Sequence, residues 1–502
     1  MDSAPKVHRD MKIDDTSTHE SGRHVEQADD EAAKVLNTYD GSLHWTDAEE
    51  RKLRRKLDWK LMPVLCLTYG LQYYDKAMLS HAALFGLIPE LDLRGQRYSY
   101  AASIFYLGFI AGAYPATVLA QRYPIERVAS AIIILWGICL TLTTTCTGYR
   151  SLYAQRFFLG LLESGISPMF MLIVGSFYRK HEQAFRMGIW YSLTGYVSIV
   201  SPLINYGWGH VNGSLSQWHY MYFFAGGITI LWGIILLFVL PPDPIRAKGF
   251  DSRERYILVA RLRSNNSGVR NKKYKMGQVV ELLTDLKFWI LFLMALLSMV
   301  SNGAISTFAP LVIRGFGFST LNTLLLYMPA GAYAGTMMVL LSFLAMRFKN
   351  IRTWLIFSGQ MGTTLAAALL YGLPLNETGG LLFAVYILPS TGAAYGVLMG
   401  LPIANTAGHT KRALASSGLY IGYCLGNFIG PLVFLEREAP QYATGFIVTL
   451  ITAVISGFLA LVYRTICILD NRKRDKAGFV EGFDHAFEDP TDKENKQFRY
   501  IL

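Results

Sequence analysis

Long apolar stretches separated by short polar turns dominate this chain from about residue 60 onward. Each is close to the ~20 residues that a helix needs to cross ~30 Å of hydrocarbon, so the pattern predicts twelve transmembrane helices. The expected spans lie at roughly 60–82, 98–120, 128–147, 152–177, 187–208, 219–240, 288–313, 322–346, 352–372, 379–401, 413–435 and 442–465. A polar stretch divides them six and six. The expected fold class is an all-α membrane protein with twelve transmembrane helices in two six-helix halves. The expected domains are a disordered cytosolic tail (1–58), a first half (59–240), a cytosolic central loop (241–287), a second half (288–466) and a cytosolic tail (467–502). Within the central loop, Asp251 to Glu254 reads as a helix cap. Val279, Leu282, Leu283 and Leu286 form a short apolar stripe, so two surface helices are expected there.

Composition supports this reading. Of 502 residues, 52 % are hydrophobic and 17 % charged, where a soluble protein carries about 25 % charged. The net charge of +11 could suit nucleic acid, but the basic residues flank apolar spans, where Lys and Arg set membrane orientation. Short loops on the side of the termini hold Arg122, Arg127, Arg179, Lys180, Arg186, Arg347, Lys349, Arg352, Lys411 and Arg412. The opposite loops hold Arg94, Arg97, Arg150, Arg314 and Arg437. That asymmetry places both termini in the cytosol. Asn212 and Asn376 then head external glycosylation sequons, while the sequon at Asn265 falls inside. Five cysteines show no metal-ligand spacing, and there is no Walker loop or nucleophile motif in context. No metal or cofactor is expected, and enzyme and ATP-driven pump recede as readings.

Four acidic or basic residues lie inside the spans: Asp75 and Lys76 in span 1, Arg156 and Glu163 in span 4. Spans 7 to 12 have none away from their ends. A charge at membrane depth is costly and faces the bundle interior or a wet cavity. Arg156 and Glu163 are seven apart and share a helix face, and all four residues are expected to form one cluster between spans 1 and 4. A static buried salt bridge is one reading, yet it is a poor source of stability. The other reading is chemical: a carboxylate that binds and releases a proton beside a base that holds an anion, so that each favours the other. Candidate lining residues are Tyr106, Trp190, Tyr191, Asn302, Tyr420 and Asn427, with Tyr73, Tyr74, Tyr327 and Tyr423 as further aromatics. His81 reads as an interface histidine able to titrate. Gly418, Gly422, Gly426 and Gly430 make a smooth face on span 11, read as close helix packing.

The ordered motifs resemble the major facilitator superfamily, specifically the anion:cation symporter family and its fungal allantoate permease branch. They are Gln72-Tyr73-Tyr74-Asp75-Lys76, the run from Arg156 to Pro168, Phe177-Tyr178-Arg179-Lys180, Arg186 to Tyr191, Pro241 to Pro244, Thr410-Lys411-Arg412, Gly426 to Pro431 and the tail from Asp489 to Tyr500. The resemblance implies the major facilitator fold and proton-driven import of a small organic anion such as a vitamin, ureide or amino acid derivative. It implies proton coupling at Asp75 and Glu163 and anion binding at Lys76 and Arg156. Lys76 stands where much of the wider family has arginine. The loop after span 2 keeps Arg122 and Arg127 as gating candidates, without the acidic and glycine positions usual there. The expected partners are a small organic anion, protons and the bilayer, with no nucleic acid, in a monomer at the plasma membrane. Export of a fungal metabolite and a non-transporting nutrient receptor are the alternatives.

Overall fold

The computed structural model describes residues 44–241, 243–244, 246–247, 249–263, 275–476 and 491–502. Span 1 is the helix Asp47–Leu84, which opens on a capping box between Thr46 and Glu49. Its first turns therefore lie inside the segment expected to be a disordered tail, while the rest of that tail is outside the described residues. Spans 2, 3, 5 and 6 are Arg97–Arg122, Ile125–Thr141, Lys180–Trp208 and Gln217–Val239. Spans 7, 8, 9, 11 and 12 are Leu286–Gly315, Thr320–Arg347, Arg352–Gly372, His409–Leu432 and Ala443–Lys476. Ten of the twelve are long and apolar enough by composition to cross a membrane. Span 1, with its charged residues, and span 11, with its glycines and polar side chains, complete the set.

Spans 4 and 10 are broken, which the apolar pattern did not reveal. Span 4 consists of Tyr149–Glu163 and Ile166–Phe177. Pro168 lacks the N–H that would bond the Ser164 carbonyl, so the ladder is interrupted at the junction. Span 10 is divided into Thr378–Ile387, Ser390–Leu398 and Gly400–Asn405, with Pro389 and Pro402 at its breaks. In a bilayer such breaks persist only where neighbouring helices shield the freed groups.

Glycines bring two helix pairs into backbone contact. A Cβ on Gly160 of span 4 would collide with the Phe105 carbonyl of span 2, and one on Gly108 with the Phe157 carbonyl. On span 11, Gly418, Gly422, Gly426 and Gly430 seat on Phe288, Phe292, Leu296 and Val300 of span 7. The four-residue register on both helices bears out the packing reading of that stripe.

The two halves meet through spans 1 and 7, 2 and 11, and 5 and 8. At the face opposite the termini, hydrogen bonds cross between them. Tyr98 Oη donates to the Thr307 carbonyl (3.0 Å), Ser103 Oγ to the Phe428 carbonyl (2.7 Å) and Arg314 to the Leu84 carbonyl (3.2 Å). At the terminal face, charges pair within each half. Arg186 holds both oxygens of Asp58 (2.7 and 2.8 Å), Arg179 meets Glu50 (3.0 Å), and Lys56 meets Glu254 (2.5 Å). In the second half Lys411 meets Glu281 (2.8 Å), Asp285 (3.3 Å) and Asp492 (2.6 Å).

Two surface helices do form in the central loop, Ser252–Arg263 and Met276–Leu283. The first packs on the first half, where Arg261 pairs with Glu182 (3.4 Å). The second packs on span 11. Residues 491–502 are folded into the second half rather than free. Asn405 exchanges two hydrogen bonds with the Ile501 backbone (2.8 and 2.7 Å), and Tyr500 Oη donates to Asp492 (2.8 Å).

Candidate solute and proton site

A cavity of about 1270 Å³, its mouth included, lies between the halves. Span 1 contributes Tyr69, Gln72, Tyr73, Lys76 and Ser80, a stripe at helical spacing. Arg156 comes from span 4, Tyr106 from span 2 and Tyr191 from span 5. From the second half, Asn302, Tyr327 and Tyr423 face the same space. Every residue that spans 7 to 12 present to it is uncharged. The charge asymmetry of the sequence is thus an asymmetry of the cavity wall.

The expected four-charge cluster is split into two layers. Lys76 and Arg156 line the cavity, whereas Asp75 and Glu163 do not. Both carboxylates are fully buried behind the wall. The reason on span 1 is rotational: successive helical residues are ~100° apart, so Asp75 and Lys76 point in different directions. Asp75 turns toward span 6, where Thr229 Oγ1 donates to it (3.3 Å). On span 4 the separation is one of depth: Glu163 shares a helix face with Arg156 but lies seven residues, ~10 Å, further along the axis, at the end of Tyr149–Glu163.

Among the described residues no ion pair within 4.0 Å joins any of the four. Both oxygens of Glu163, one of Asp75 and Nη1 of Arg156 lack a hydrogen-bond partner. Arg156 Nε donates to the Ala101 carbonyl (3.4 Å), and Gln72 Nε2 donates to the Glu163 backbone carbonyl (3.2 Å). Buried charge without partners is expensive, so this is not the static salt bridge entertained above. Two basic side chains face the cavity, with two carboxyl groups buried behind them.

The other candidates divide similarly. Tyr106, Tyr191 and Asn302 line the cavity. Asn427 is fully buried and acts one step back, accepting from Asn302 Nδ2 (2.9 Å) and donating to the Tyr423 carbonyl (2.9 Å). Trp190 is buried against Tyr69 (ring centroids 4.6 Å), and Tyr420 stacks on Phe109 (5.8 Å). His81 is fully buried, not interfacial. Asn205 Nδ2 lies 2.7 Å from its Nδ1, and Tyr74 Oη donates to Asn205 (3.0 Å). Arg122 and Arg127 are exposed, and among the described residues neither makes an ion pair. Asn212 and Asn376 are exposed in loops of the face opposite the termini, and Asn265 lies outside the described residues. The sequence reading missed Tyr69, Gln72 and Phe105. The first two were within reach, since they repeat at helical spacing from Lys76.

The family model described as Major Facilitator Superfamily matches residues 65–431. The allantoate permease of Saccharomyces cerevisiae is 30 % identical over 492 residues, covering 94 % of this chain and 90 % of the permease. The thiamine pathway transporter THI73 of the same yeast is 33 % identical, covering 90 % of this chain and 86 % of its own. The inward open xylose transporter XylE from E. coli shares the fold at a TM-score of 0.64 and 14 % identity, over 81 % of this chain and 96 % of that one. Twelve spans in two halves, a cavity between them and these likenesses agree: the chain belongs to the Major Facilitator Superfamily, in the branch that holds the fungal allantoate permease.

Proposed function

We propose that this transporter carries a small organic carboxylate into the cell together with protons, at the plasma membrane and with both termini cytosolic. The observation that carries the reading is the two-layer arrangement: Lys76 and Arg156 on the cavity wall and the carboxyl groups of Glu163 and Asp75 behind it, with no ion pair among the four in the described residues. An entering carboxylate supplies the missing counter-charge to the cations. With the cations so occupied, they no longer favour ionisation of Glu163, and a proton is retained more readily. Anion and proton therefore load together, and release of one promotes release of the other. The neutral second half supplies shape and hydrogen bonds, through Asn302 and the tyrosines, without competing for the anion. The hydrogen bonds that cross between the halves opposite the termini belong, on this reading, to a state closed to the outside. The organic-anion reading also agrees with the solute named for the yeast allantoate permease.

Uptake of labelled carboxylates, allantoate included, in cells lacking their own permeases tests the proposal. Wild-type uptake is expected to follow an acid-outside gradient and to collapse with a protonophore. Glu163→Gln is expected to reduce gradient-driven uptake to background while sparing counterflow exchange. Gradient-driven uptake that survives in Glu163→Gln removes Glu163 as the coupling acid.

A further inference from the structure

Neither cation of the site is held by a carboxylate; both are held by an aromatic ring. Phe105 of span 2 is buried, and its ring centroid lies 5.4 Å from Lys76 Nζ and 5.3 Å from the Arg156 guanidinium carbon. Lys76 also stands over Phe109, one helical turn on, at 4.7 Å. These distances are within the ~6 Å at which a cation is drawn to the negative face of a ring. The ring's own position is fixed by the backbone. Gly160 lies one turn beyond Arg156 and packs directly on the Phe105 carbonyl, so spans 2 and 4 cannot slide without a clash. Tyr106 and Phe109 brace the ring at centroid distances of 5.1 and 5.5 Å.

We propose that Phe105 is a positioning residue of the solute site, whose ring holds Lys76 and Arg156 at the cavity wall and keeps both from neutralising Glu163. This rests on the reading of Lys76 and Arg156 as the anion-binding pair. A ring suits the task where a carboxylate does not: it attracts both cations at once, adds no charge, and yields when a stronger anionic partner arrives. Without it, Arg156 loses its ring and the long flexible Lys76 side chain keeps only Phe109, so both turn more readily toward Glu163, which is within electrostatic range of both cations. Anion and coupling acid would then compete for one charge. The other titratable groups in range of Glu163 are Asp75 and Tyr69 on span 1, Tyr106 on span 2, Cys139 on span 3 and Tyr420 on span 11.

The test needs no solute. Infrared spectroscopy of the full-length protein in lipid follows the protonated carboxyl band of Glu163 against pH, with Glu163→Gln identifying the band. In Phe105→Leu the cations approach Glu163, and its band is expected to vanish about one pH unit lower than in wild type. Replacing Phe105 by fluorinated phenylalanines, which weaken the ring's negative face at nearly constant shape, is expected to move it the same way in graded steps. Phe105→Tyr, which keeps the ring, is expected to titrate like wild type. A band that does not move in either Phe105→Leu or the fluorinated series overturns the proposal. So does a wild-type Glu163 that stays ionised throughout, since the cations would then already hold it. A band that moves as expected in a protein whose uptake ignores the proton gradient leaves Phe105 in place and overturns the symport reading instead.

Discussion

Lys76 and Lys411 are both lysines on helices that face other helices, and they are treated oppositely. Lys411 stands in the first turn of its helix, ahead of the apolar part of span 11. Its side chain is 1 % exposed and touches three carboxylates, on Glu281, Asp285 and Asp492. Burial alone would lower its pKa, but Asp492 and Glu281 outweigh that and hold it above the ordinary lysine value. A raised lysine contributes its full stabilisation below the ordinary lysine range and loses it only as pH climbs beyond the folded value, so this clasp is always closed in a cell. Lys76 lies at membrane depth, faces the cavity, stands over the rings of Phe105 and Phe109, and among the described residues makes no ion pair. A charge that the fold satisfies belongs to the scaffold. One that it holds but leaves unpaired is available to a solute.

The largest expected effect breaks the scaffold side of this comparison. Lys411→Met strands carboxylates that include the buried Asp285 and Asp492, and removing one partner of such a network costs about 3–5 kcal/mol. The midpoint of thermal unfolding in detergent is expected to fall accordingly. Lys76→Met removes a charge that has no partner to strand, so its stability is expected to stay within about 1 kcal/mol of wild type or to rise. Its carboxylate uptake is expected to be lost. Equal destabilisation by the two variants would erase the distinction between them.

A smaller effect sharpens the other side. Arg156→Ala is expected to weaken carboxylate binding about ten- to a hundredfold, the equivalent of the ~1.5–3 kcal/mol of a hydrogen bond to a charged group. Binding of neutral analogues of the same shape is expected to be unchanged. Calorimetry on purified protein measures both. An unaltered carboxylate affinity would take Arg156 out of the solute site.

How much of this was legible beforehand depends on which dimension is asked about. Depth was readable, because lipid enforces helices of a set length and penalises every charge within them. Rotation about the helix axis was read less well. Asp75 and Lys76 are adjacent, and their depth suggested one cluster, but adjacency on a helix means divergence. Seven-residue spacing put Glu163 on the same face as Arg156 within one continuous helix, but it also sets the two ~10 Å apart along the axis, and only Arg156 reaches the cavity. The glycine stripe of span 11 was legible as packing because its period matches the partner's. Phe105 gave no signal, since a phenylalanine in an apolar run is indistinguishable from lipid-facing filler until spans 2 and 4 are seen locked together at Gly160. The tail from Thr491 onward was legible only as a cytosolic tail, and its docking was not legible because its partners, Lys411, Asn405 and Arg474, are scattered along the sequence.

The smallest expected effect asks whether the unpaired lysine touches the solute. Lysine is a compact point charge, whereas arginine offers a planar fork that matches both oxygens of a carboxylate. Lys76→Arg keeps the charge and keeps the attraction to Phe105 and Phe109, since a guanidinium also stacks on rings. If Lys76 meets the carboxylate directly, the fork is expected to tighten binding by about threefold, a fraction of the tenfold that 1.4 kcal/mol would give. Competition by unlabelled carboxylate against labelled uptake reads this at the required precision. Affinity that is unchanged in Lys76→Arg, alongside uptake lost in Lys76→Met, would make Lys76 a source of field for the cavity rather than a contact. Arg156 would then be the group that grips the anion.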